Sequence, residues 1–61
     1  MSTGAGIFEA IEEDDLDRVI KILNNNPEVI NITDNQGYTP LHSAVLSENV
    51  DIVEAILQAE T

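Results

Sequence analysis

The sequence predicts an all-α fold, a stack of helix-turn-helix units, and three observations predict it. Apolar residues fall into four clusters whose members lie three and four apart, which puts each cluster on one helix face. Turn-forming residues separate the clusters. The clusters of the second half repeat those of the first at a constant offset of 34 residues. Self-similarity at a fixed period in this range signals stacked repeats. No segment alternates polar and apolar residues long enough to read as a strand.

The first cluster, Ile7, Ala10 and Ile11, predicts a helix over 7–13. Asp14-Asp15 follows, and Asp tolerates the left-handed backbone of a tight turn better than most residues. Leu16, Val19, Ile20 and Leu23 predict a second helix over 16–25. Asn24-Asn25-Asn26-Pro27 should stop it, with Asn closing the helix in a left-handed cap and Pro blocking continuation. Residues 26–38 read as a polar loop with a turn at Gly37. Thr39 as N-cap and Pro40 at the first helical position then open a helix over 40–47, which puts Leu41, Ala44 and Val45 on one face. Glu48-Asn49 breaks the chain again, and Val50, Val53, Ile56 and Leu57, with Ile52 alongside, predict the last helix over 50–59. The repeat pairs Ile7, Ala10, Ile11, Leu16, Asp17, Val19, Ile22 and Leu23 with Leu41, Ala44, Val45, Val50, Asp51, Val53, Ile56 and Leu57.

Composition narrows the function. Two Lys and Arg against twelve Asp and Glu give a formal net charge of -10 over 61 residues. Binding to nucleic acid needs cations to neutralise phosphates, so that class is excluded, and anionic membrane surfaces are disfavoured. Any partner chosen by charge should be basic. A hydrophobic fraction of 43% is too high for a disordered acidic tail. With no cysteine and a single histidine, neither a disulfide nor a thiolate or multi-histidine metal site can form, and no cofactor is expected. The opening Met1-Ser2-Thr3-Gly4-Ala5-Gly6 lacks the basic and apolar regions of a secretory signal, and an intracellular, cytoplasmic location is the expectation. A chain this short buries only about 60% of its unfolded surface, so its stability should be marginal without a neighbour.

The stretch Asp34-Asn35-Gln36-Gly37-Tyr38-Thr39-Pro40-Leu41-His42-Ser43-Ala44 resembles the ankyrin-repeat signature, in which Asp, two variable residues, Gly and one variable residue precede Thr-Pro-Leu-His-x-Ala. Val50 to Leu57 is similar to the family's second helix. Gly37 permits a positive φ, Thr39 and Pro40 start the helix, Leu41 enters the core, and Ala44 lets the two helices approach closely. The resemblance implies that His42 hydrogen-bonds Thr39 and ties neighbouring loops together. It also implies a short extended hairpin between the units. Residues 1–61 then form one ankyrin-like unit: a flexible start over 1–4, a capping-type repeat over 5–38, and a second repeat over 39–61 that ends after its second helix. The family's glycine between helices is replaced by Asp14 and Glu48, and Leu23 to Asn31 is one residue longer than the usual spacing of about 33 allows. Arg18 and Lys21 stand where the second unit has Ile52 and Ala55, the polarity expected of a cap.

The resemblance implies non-covalent protein–protein recognition and no enzyme activity. Asn35, Gln36, Tyr38, Ser43, Leu46 and Ser47 fall where the family varies and are the expected partner-binding residues, with Tyr38 the strongest as an aromatic anchor. Val53, Ile56 and Leu57 are expected on an apolar face left open by the last helix, through which two copies could form a homo-oligomer. Glu12-Glu13-Asp14-Asp15 with Asp17 lacks the spacing of a calcium loop and reads as a solvated acidic turn. Asn31-Ile32-Thr33 matches a glycosylation sequon, but Asn31 is expected to bond loop backbone instead.

Overall fold

In the computed structural model, which describes residues 5–60, Ile7, Ala10 and Ile11 are fully buried along one side of α1 (Ala5–Glu12). The expected flexible segment 1–4 lies outside the described residues. The helix begins before its first buried residue and ends at Glu12, ahead of Asp14, which takes φ +58. The Asp14 N–H donates to the Ile11 carbonyl (3.1 Å) and the Asp15 N–H to the Ala10 carbonyl (2.9 Å). This pair of bonds is the Schellman closure, which satisfies carbonyls that the helix end would leave orphaned. Asp15 Oδ1 then accepts from the Arg18 N–H (3.2 Å) and opens α2 (Leu16–Asn25), where Val19 and Leu23 are buried.

The same construction recurs 34 residues later. Thr39 Oγ1 accepts from the His42 N–H (3.4 Å), and Pro40 sits buried in the first turn of α3 (Pro40–Leu46). The N–H of Glu48, which sits at φ +60, donates to the Val45 carbonyl (3.0 Å), and the Asn49 N–H donates to the Ala44 carbonyl (3.3 Å). Asn49 Oδ1 accepts from the Ile52 N–H (3.2 Å) and opens α4 (Val50–Glu60). Glu13 and Ser47, expected inside helices, are therefore the residues at which each helix hands over to its left-handed turn.

Three sequence expectations need correction. Asn26 has φ -141, so no left-handed Asn cap ends α2. Proline at 27 excludes helical backbone at the preceding residue, and that suffices to stop the helix. The loop predicted over 26–38 also contains a 3-10 helix, Pro27–Asn31, whose Val29 is 3% exposed and completes the core. Asn31 closes that helix as an exposed residue, and its side chain makes none of the hydrogen bonds that hold the loop.

The helices form two layers. α1 packs on α3 and α2 packs on α4, the turns at Asp14 and Glu48 join α1 to α2 and α3 to α4, and the 3-10 helix packs against α2, α3 and α4. No strand occurs among the described residues. The core seam runs between the units. Val19 and Leu23 contribute one stripe of α2, and Ile52 and Ile56 contribute one stripe of α4. Ala44, fully buried, keeps α3 close to its neighbours.

Candidate functional site

The segment between the units is built around Asp34. Its Oδ1 accepts from the backbone N–H groups of Gln36 (2.9 Å) and Tyr38 (3.0 Å). Its own N–H donates to the Tyr38 carbonyl and its carbonyl accepts from the Gly37 N–H, both at 3.0 Å. Gly37 sits at φ +87, a conformation that a side chain would strain. Ile32 and Thr39 at either side are extended (ψ 161 and 166), so a hairpin-shaped tip forms without a regular strand. Tyr38 stacks on the His42 ring, with centroids 4.3 Å apart and planes at 22°. His42 bonds Thr39 only through its backbone N–H, the N-cap bond, and its ring, expected to tie neighbouring loops, stacks on Tyr38 at the base of the tip instead.

A groove runs between this tip and the α1–α3 layer. The tip contributes Asp34, Asn35, Gln36 and Tyr38, while α3 and its turn contribute Ser43, Leu46 and Ser47. All six residues expected to meet a partner therefore line one surface. Asn35, Gln36, Leu46 and Ser47 are exposed, and Tyr38 and Ser43 are half-buried. Two further lining residues, Phe8 and Glu12 of α1, were not anticipated. The 34-residue offset pairs Glu12 with the expected Leu46 and could have found it, whereas Phe8 pairs with His42, which does not line the groove.

The two outer faces of the stack differ. On the first unit, the Arg18 guanidinium extends towards Gly6 and lies 3.7 Å from both Glu9 and Glu13 carboxylates. These pairs are exposed and contribute little energy. On the second unit, Val45 is 55% exposed, Val50 66% and Leu57 45%, while Ile11 and Leu23, the counterparts of Val45 and Leu57, are buried by the neighbouring unit. Ile56 does not belong to this open face. It is fully buried in the seam, because α4 carries two apolar stripes and the Ile52–Ile56 stripe is the one turned to the first unit. Val53 is half-buried. Asp14 Oδ1 accepts from Asn49 Nδ2 (2.7 Å), which ties the two interhelical turns together.

Among the described residues, no three His, Asp or Glu side chains gather as a metal-binding group. No described helix is long and apolar enough to cross a membrane.

A family model described as ankyrin repeats (many copies) matches residues 7–57. The chain belongs to the ankyrin-repeat family. The ankyrin repeat domain-containing protein 49 of Drosophila melanogaster is 38% identical over 52 residues, which is 85% of this chain and 24% of that protein. The ankyrin repeat-containing protein kinase A of Dictyostelium discoideum is 45% identical over 49 residues, 74% of this chain and 3% of that protein. The chain thus spans a quarter or less of the length of these curated relatives. No solved structure matches. Ankyrin repeats are in general protein–protein interaction modules, and these two repeats keep the left-handed interhelical turn although Asp14 and Glu48 stand where the resemblance expects glycine.

Proposed function

We propose that the chain recognises a protein partner through the groove between the Asp34–Tyr38 tip and the α1–α3 layer, without catalysing a reaction. The observation that carries this reading is the convergence of tip, α3 and α1 on one surface, with Phe8 and Tyr38 as aromatic anchors. Repeat one, 5–38, acts as an end cap with Arg18 over its outer face, and repeat two, 39–61, as an interior-type repeat. The turn around Asp34 is fixed by four hydrogen bonds, so binding costs little ordering of the tip. The test is to select binders from a random peptide library against the chain and measure their affinity for variants. Tyr38→Ala should weaken them about tenfold or more while leaving the far-ultraviolet circular dichroism unchanged. Binders indifferent to simultaneous alteration of Asn35, Gln36 and Tyr38 would place recognition elsewhere.

A second reading rests on the exposed apolar residues Val45, Val50 and Leu57. In it, that face packs against a second copy of the chain. Sedimentation or light scattering should then show a mass above one chain that falls on Leu57→Glu. A folded monomer whose mass does not change with concentration would dismiss it.

A further inference from the structure

The geometry points to an extended segment bearing Lys or Arg as the occupant of the groove, an inference that rests on the groove reading above. The lining offers ring and aliphatic surface from Phe8, Tyr38 and Leu46, with the exposed Glu12 carboxylate beside it. Asp34 adds a second negative charge at the tip end, where its Oδ1 is already engaged by the turn. No Lys or Arg lines the groove. Of the two cations in the chain, Arg18 is held by Glu9 and Glu13, and Lys21 sits on α2 in the other layer. A cationic side chain suits such a lining twice over. Its stem packs on apolar surface and its head is drawn to aromatic faces and carboxylate together. An acidic segment would instead meet uncompensated carboxylates in a molecule of net charge -10.

The complementarity is local, which separates it from general attraction to an acidic surface. Two substitutions make the distinction, because each removes one negative charge. Glu12→Gln alters the groove, and Glu54→Gln alters the exposed side of α4 in the other layer.

The experiment measures a labelled dodecapeptide of alternating Arg and Gly by fluorescence anisotropy, at low and at raised salt. Equal-length Glu-Gly and Ser-Gly peptides serve as controls. Backbone amide shifts of the isotope-labelled chain are followed in parallel. The cationic peptide should bind tightest, with shifts centred on Phe8, Glu12, Gln36, Tyr38 and Leu46. Glu12→Gln should weaken it about threefold and Glu54→Gln should leave it within error. Phe8→Ala should weaken it about tenfold, with helicity checked because Phe8 also packs against the core. Equal losses in the two Gln variants, with shifts spread over α2 and α4, would overturn the proposal. Preferential groove binding of the neutral or acidic peptide would overturn the cationic occupant while leaving the groove reading intact. Shifts confined to Val45, Val50 and Leu57 would count against both.

Discussion

Asp14 and Glu48 occupy the same left-handed position in successive units, yet the two side chains differ in what they do there. The conformation costs a residue with Cβ about 1–2 kcal/mol, whereas glycine adopts it freely at some cost in unfolded-state entropy. Glu48 makes no side-chain contact that offsets this cost. Glu48→Gly should therefore stabilise the fold by about 0.5–1 kcal/mol in urea denaturation. Asp14 accepts from Asn49 Nδ2, so Asp14→Gly should gain less than Glu48→Gly or lose outright. Equal gains at both positions would show that the Asp14–Asn49 bond contributes nothing. Much at this scale is legible in the sequence. Asp14 and Glu48 stand in turn positions, and Gly37, Thr39 and Pro40 each do what their chemistry dictates. Asn26 misleads, because asparagine's tolerance of the left-handed region is only a permission, and Pro27 already stops the helix.

Elements show the limit of periodicity. Four helices were readable because each presents several apolar residues at regular spacing. The 3-10 helix over Pro27–Asn31 buries Val29 with little regular spacing around it, and so carried no periodic signal. Spacing also reveals that α4 has two apolar stripes, but it does not say which of them the first unit covers. That is why Ile56 was expected in the open and lies in the seam. The energetic consequence is direct. Ile56→Ala should cost about 2–5 kcal/mol, the range for emptying a packed site, while Leu57→Ala one position on should cost under about 1 kcal/mol. The groove was half legible for a related reason. Its tip residues sit in one contiguous motif, whereas Phe8 and Glu12 reach it only through the stacking of α1 on α3.

For the whole molecule, net charge and apolar exposure pull association in opposite directions. Two copies each carrying -10 repel, and added salt screens that repulsion over a Debye length of about 8–10 Å. Homo-association through the Val45–Leu57 face should accordingly strengthen as sodium chloride rises, while binding of a basic peptide in the groove should weaken. Sedimentation and anisotropy across one salt series separate the two. The paired interhelical turns bear on how such a stack comes apart. Asn49 receives one helix end through its N–H, starts the next through Oδ1, and holds the preceding unit through Nδ2. Melting the second hairpin of helices would strip the first of a polar latch and of the apolar wall over Val19 and Leu23 in the same event. Neither half is equipped to outlast the other, so heating should give a single transition in which tyrosine fluorescence and helical ellipticity change at the same midpoint.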